Sequence, residues 1–137
     1  MRCSFVVMGE PVAKGRPRVT KTGTTYTPTK TRLYEVKVRR AWEAQSKARL
    51  GDGQSLRASL NFWFNVPASY SKAKRLGALS SGAWHTKKPD LDNLVKAVLD
   101  ALNGYAYDDD SAVCELHVTK RYAADDQERV EVTIEEM

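Results

Sequence analysis

The amino-acid sequence predicts a single α/β domain of two layers, in which a mixed β-sheet carries two main helices. Several short segments alternate between apolar and polar residues, as strands do, and two longer segments repeat their apolar residues at helical spacing. These elements follow one another as strand, helix, strand, helix, strand and strand. A chain of 137 residues is long enough for one hydrophobic core, so we expect one domain over residues 1–137.

The first half of the chain supplies two strands and one helix. Residues 2–8 are predicted to form a strand because the middle of the segment is apolar. A modest apolar stripe predicts a helix from about residue 30 to residue 49, with Thr29 as its N-cap. Residues 56–66 alternate strictly between apolar and polar side chains, which predicts the clearest strand of the sequence.

The second half supplies the other main helix and two strands. Apolar residues recur at i, i+3, i+4 and i+7 from Leu91 to Leu102, which is the pattern of an amphipathic helix. Asp92 or Asn93 suits its N-cap. Residues 113–122 and 128–135 are predicted to be strands joined as a hairpin.

Composition indicates a soluble, cytoplasmic protein. No apolar run approaches the ~20 residues of a membrane span, and the first residues lack a signal-peptide pattern. The two cysteines, Cys3 and Cys114, occupy apolar segments without the spacing of metal ligands. We expect both to be reduced, buried thiols.

Charge is strongly segregated along the chain. Residues 1–89 hold 18 Lys and Arg against 4 Asp and Glu, whereas residues 90–137 hold 4 against 13, within a net charge of +5. A basic surface beside an acidic site suits a metal-dependent nuclease, because cations attract the phosphate backbone while carboxylates hold the ion.

Two basic segments are candidates for binding DNA. The first is a proline-containing loop, and the second is a connection over residues 67–88 that we expect to be mobile. Isolated aromatic residues within the second could stack on unpaired bases. An ordinary solvated surface remains the alternative for both. The candidate DNA-binding residues are Lys14, Arg16, Arg18, Lys87 and Lys88.

Acidic residues form two groups around the second predicted helix. Asp90 and Asp92 lie at its start, with Lys96 one turn after Asp92. A second group, residues 108–110, follows the helix. If the chain returns along the sheet, three carboxylates could share one hard cation such as Mg²⁺. The alternatives are a capped helix start and a solvated acidic turn.

These motifs resemble the RusA family of Holliday junction resolvases. The similarity is carried by residues 88–104, by the Asp-Asp-Ser-Ala-Val run that ends at Val113, and by segments 9–18 and 26–35. It spans most of the chain apart from residues 50–85. The resemblance implies a homodimeric, Mg²⁺-dependent endonuclease that makes paired nicks in four-way DNA junctions during recombination and repair.

The resemblance also assigns roles to residues. The positions that match the family's metal-binding acids are Asp90, Asp92 and Asp110. Lys96 matches the catalytic lysine, and Mn²⁺ can substitute for Mg²⁺. Three consecutive acids stand where the family usually has two, so a slip of one position would make Asp109 the third ligand. Asp100 matches a further recurring acid, for which we expect a structural role.

Two other functions fit parts of the sequence. A non-catalytic, basic DNA-binding module would explain the cations and aromatic residues but not the acid pairs. A metal nuclease that cuts flaps or other branched DNA would share every candidate catalytic residue.

Overall fold

Four strands form the central sheet of the structure, a computed structural model that describes residues 1–80 and 84–137. The strands of this sheet are β1 (Arg2–Met8), β4 (Leu56–Asn65), β5 (Val113–Ala123) and β6 (Arg129–Glu136). A small ribbon pairs β2 (Arg18–Val19) with β3 (Thr25–Tyr26). The helices are α1 (Thr29–Gln45), α2 (Lys72–Leu79) and α3 (Leu91–Leu102). The predicted α/β class with a mixed sheet is therefore confirmed.

The sheet order is β1-β6-β4-β5. Strand β6 pairs antiparallel with both β1 and β4, whereas β4 and β5 run parallel. The predicted hairpin between β5 and β6 is wrong, because β4 lies between them. The burial patterns differ between the two strands: alternate residues of inner strand β6 are fully buried, while most of edge strand β5 is half-exposed.

The hydrophobic core lies between the sheet and two helices. Leu60 and Phe62 of β4 are fully buried, and their alternating partners on the strand project to the opposite, more polar face. Helix α1 packs on β1 and α3, and α3 also contacts β5. Helix α3 buries Leu94, Val98 and Leu102, which confirms the apolar stripe predicted for it.

Helix α1 is shorter than predicted. Its N-cap is Pro28 rather than Thr29, and it ends at Gln45 instead of residue 49. Lys47 adopts a positive φ of 55° and its N–H bonds to Trp42 O at 2.7 Å, so the backbone turns out of the helix there. Gln45 is drawn toward β1, where its side chain donates to Val6 O and accepts from Val6 N.

The connection expected to be mobile contains a helix. Ser71 caps α2 by accepting a hydrogen bond from Lys74 N at 3.2 Å. No residue of α2 is buried within the described part of the chain, so an apolar stripe could not have predicted it. Residues 81–83 of this connection lie outside the described residues.

The two cysteines differ, contrary to the expectation that both are buried. Cys3 is fully buried in β1, but Cys114, the second residue of the edge strand β5, is exposed. Among the residues that the structure describes, we find no helix with the length and apolar character of a membrane span.

Candidate active site

The carboxylate of Asp90 lies at the start of α3 and is half-exposed. Asp90 is the N-cap, in place of the predicted Asp92 or Asn93, and its carbonyl accepts from Leu94 N at 3.1 Å. Among the described residues, its side chain makes no capping hydrogen bond and instead pairs with exposed Lys88 at 3.0 Å. A carboxylate that is not used for capping can bind an outside ligand.

Asp92 and Lys96 extend this acidic site along the helix. Asp92 is in the first turn, and Lys96 follows one turn later on the same face. Both side chains are exposed. The positive end of the helix dipole stabilises carboxylates at this position. Two carboxylates and one ammonium therefore meet solvent at one end of α3.

Asp110 lies at the other end of α3. Its N–H donates to Oδ1 of Asn103, the C-cap residue, at 2.8 Å. Its carboxyl group shares a hydrogen bond with Asp100 in the last turn. Asp92 and Asp100 are eight positions apart, which is about 12 Å of helix rise at 1.5 Å per residue. The structure therefore does not bring Asp110 together with Asp90 and Asp92.

Asp109, the alternative third ligand, belongs to the same end of α3 as its neighbour in sequence. It caps the short 3₁₀ turn Asp110–Ala112 by accepting a hydrogen bond from Ser111 N at 3.1 Å. Hydrogen bonds from Ser111 lower the pKa of Asp109. Asp109 thus acts as a turn cap in this conformation.

A lysine neutralises the acids at this end of the helix. Lys14 Nζ lies 3.4 Å from both Glu35 and Asp100, and only 16% of its side chain is exposed. Asp110 is the carboxyl group that neighbours Asp100. Its pKa is raised by burial and by the hydrogen bond and charge of Asp100. Lys14, a candidate for binding DNA, is placed by the structure in an internal ion-pair network.

Carboxylate oxygens are the ligands that a hard divalent cation prefers, so the donor chemistry at both ends of α3 fits Mg²⁺ or Mn²⁺. Within residues 1–80 and 84–137, however, no three His, Cys, Asp or Glu side chains lie close enough to hold a metal ion. One chain thus supplies two separated acidic pairs, Asp90 with Asp92 and Asp100 with Asp110.

A cationic cleft opens beside the Asp90 end of α3. Its volume is about 560 Å³, and its lining includes Lys88 and Pro89, the two residues that precede Asp90 in the chain. The basic residues that line it are Arg16, Arg18, Lys30 and Lys88. The structure therefore brings together three of the candidate DNA-binding residues and adds Lys30, which the sequence did not single out.

Two hydrogen bonds hold the basic loop against the helices. Lys14 N donates to Asn93 O in the first turn of α3 at 2.8 Å, and Gly15 N donates to Thr31 Oγ1 of α1 at 3.0 Å. A Cβ atom on Gly15 would lie 3.0 Å from Pro28 Cγ, so glycine permits this close approach. The loop is thereby fixed beside the candidate acids.

Lys120 of β5 is a further residue of this site that the sequence did not reveal. Its ammonium group donates to Lys87 O at 2.5 Å and to Pro89 O at 2.7 Å. Burial lowers the pKa of Lys120; the charge of Asp90 opposes this shift and that of Lys88 adds to it. Only an isolated lysine in a strand was visible in the sequence, since its partners are backbone carbonyls about thirty positions away.

Comparisons with known proteins point to one family. The family model described as endodeoxyribonuclease RusA matches residues 8–135. The chain is also 36% identical over 138 residues to the uncharacterized protein YqaN of Bacillus subtilis strain 168, covering 97% of this chain and 95% of that protein.

Proposed function

The chain belongs to the RusA endodeoxyribonuclease family, and on this premise we propose that it resolves four-way DNA junctions by Mg²⁺-dependent paired nicks, in recombination and repair. The family is one of Holliday junction resolvases that act on branched DNA. The observation that carries the proposal is the cleft rich in basic residues whose lining residue Lys88 pairs with the exposed carboxylate of Asp90 at 3.0 Å.

In this proposal the reacting phosphate lies over the start of α3. Asp90 and Asp92 hold the divalent cation, with Mn²⁺ able to replace Mg²⁺. A bound cation supplies a Lewis acid that activates water and neutralises charge developing on the phosphate. Lys96 is exposed on the Asp92 face, where its ammonium group stabilises the developing charge or the leaving oxygen.

The DNA strand approaches along the cleft. Phosphates on one side of the cut contact Arg16 and Arg18 of the loop and Lys30 of α1, while Lys88 contacts the phosphate nearest Asp90. Exposed Lys87 extends the same basic edge. Because these contacts release condensed counterions, binding weakens steeply as salt rises.

A homodimer completes the proposal. Two identical sites related by a two-fold axis match the near two-fold symmetry of a four-way junction and permit opposed nicks. Asp110 is proposed as the third metal ligand, yet in one chain it lies two helical turns from Asp92. Asp110 therefore reaches this ion only if a second copy supplies it or if the chain rearranges when it dimerises.

The test compares a labelled mobile four-way junction with a linear duplex and a flap, with and without Mg²⁺. We expect symmetric nicks in the junction alone, which are lost in Asp92→Asn and Lys96→Ala while junction binding survives. Equal cleavage of the flap or the duplex would reject junction specificity. Junction binding without any Mg²⁺-dependent cleavage would indicate a non-catalytic DNA-binding module instead of a nuclease.

Mixing two inactive variants tests the source of Asp110. If sites are shared between copies, a heterodimer of Asp92→Asn and Asp110→Asn chains contains one intact site and one doubly altered site. We then expect single nicks from the mixture and none from either variant alone. If all ligands come from one chain, every site in the mixture is defective and no cleavage appears.

A further inference from the structure

The segment that leads into Asp90 has no regular secondary structure over the described residues 84–90. It is nevertheless fixed to the sheet by one residue of β5. Lys120 O accepts a hydrogen bond from His85 N at 3.0 Å, and the Lys120 ammonium group donates to Lys87 O and Pro89 O. Backbone and side chain of a single lysine thus hold this segment at three points.

We propose that Lys120 is a positioning residue that fixes the Lys87–Asp90 backbone and thereby the orientation of the Asp90 carboxylate. An ammonium group carries three donors and no acceptor, and two of these donors are used on carbonyls that flank Lys88. Hydrogen bonds from a charged donor are stronger than neutral ones, so these two contacts resist rotation of the segment.

The place of Lys120 in the sheet explains why its hydrogen bonds to Lys87 O and Pro89 O would affect the site. Lys120 is paired in the sheet with Phe62, which is fully buried in β4, so the backbone of this edge-strand residue is bonded to a core strand. The carbonyl of Pro89 is the last acceptor before Asp90. The same lysine also fixes Lys88, which lines the cationic cleft. A movement at this point displaces an acid and a phosphate-binding cation together.

This inference rests on the proposed function, because it treats Asp90 as a residue that holds the cation. Two readouts in Lys120→Met separate the two ideas. The first is the rate of tryptic cleavage after Lys87, which reports the bracing alone. The second is the Mg²⁺ concentration that gives half-maximal junction cleavage. Lys47→Met, an exposed lysine after α1, is the matched control.

We expect tryptic cleavage after Lys87 to accelerate by about tenfold or more in Lys120→Met, since losing one hydrogen bond to a charged donor changes an opening equilibrium by at least that factor. The half-saturating Mg²⁺ concentration should rise by about 10- to 100-fold, as for other residues that orient a metal ligand. Junction binding without Mg²⁺ should weaken less than in Lys88→Ala, because the cleft cation is displaced and not removed. Lys120→Arg, which keeps donors for both carbonyls, should recover much of the Mg²⁺ response.

Unchanged proteolysis together with an unchanged half-saturating Mg²⁺ concentration would overturn the inference. A fall in turnover at saturating Mg²⁺ with both readouts unchanged would also overturn it, since that would mean that Lys120 contacts the reacting phosphate itself. If wild-type protein failed to cut the junction, the proposed function would fail, whereas the proteolysis readout would still decide the bracing.

Discussion

Replacing Lys14 by methionine should destabilise the fold rather than weaken DNA binding. The Lys14 ammonium group lies 3.4 Å from Glu35 and from Asp100, and Asp100 in turn shares a hydrogen bond with Asp110. Methionine keeps most of the side-chain volume but removes the charge. Glu35 and Asp100 would then lose the cation that they share.

The expected cost follows from burial. The side chains of Lys14, Glu35 and Asp100 are 16%, 13% and 25% exposed, so the network is screened only in part. Breaking a buried pair by removing one partner costs about 3 to 5 kcal/mol, and partial exposure favours the lower value, about 3 kcal/mol. For a domain of this size, that loss corresponds to a Tm lower by roughly 10 °C.

Thermal unfolding of Lys14→Met at neutral pH measures this change. Lys30→Met is the control, because Lys30 is an exposed cation of the nearby cleft and should shift Tm by less than about 2 °C. Adding Asp100→Asn to Lys14→Met should restore part of the lost stability by removing one unpaired charge. The reasoning is refuted if Lys14→Met and Lys30→Met have the same Tm.

Three further outcomes are expected. Arg18→Ala and Lys88→Ala should each reduce the slope of log affinity against log salt by about one, measured in binding titrations with junction DNA at several salt concentrations. An unchanged slope would show that the residue does not contact the phosphates in the cleft. The pKa of His85 is lowered by burial and, to a lesser extent, by the charge of Lys120, so the folded state favours the neutral imidazole. The Tm should therefore fall as pH drops below about 6.5. His85→Phe should flatten this pH dependence, and an unchanged dependence would assign it to other groups. Burial raises the pKa of the Cys3 thiol to about 11. A thiol reagent should therefore label exposed Cys114 quickly and Cys3 only after unfolding. Rapid labelling of both cysteines would contradict the burial of Cys3 in β1.

Local periodicity predicted the main elements because each of them buries one face. Strand β4 and helix α3 show this best: their apolar residues recur at spacings of two and of three to four, and these positions are buried apart from Leu91 at the start of α3. Helix α2 shows the converse, since a capped helix without a buried face leaves no periodic signal. The end of α1 was also not predicted, because the residue that adopts the positive φ after the helix is Lys47 and not a glycine, which would have marked the helix end in the sequence.

Pairing of distant segments was not predictable in the same way. Strands adjacent in sequence often pair, which favoured a hairpin between β5 and β6. The sheet instead inserts β4 between them, and this parallel arrangement sends α3 back across the sheet. The acidic pair at the start of α3, Asp90 and Asp92, and the acidic run that follows the helix are therefore at opposite ends of it. The sequence therefore identified both acidic groups but could not show that they lie far apart in the fold.

The dipole of α3 explains why its two ends need different neighbours. Carboxylates near the N-terminus, such as Asp90 and Asp92, are stabilised by the helix and can stay exposed, whereas carboxylates near the C-terminus face a partial negative charge. Asp100 is compensated there by Lys14, and burial together with the neighbouring Asp100 raises the pKa of Asp110, which favours its neutral form. Lys14 also donates its backbone N–H to Asn93 in the first turn. One lysine of the basic loop thus compensates Asp100 at the far end of α3 while it anchors the loop, with Arg16 and Arg18 of the cleft, beside the acids at the near end.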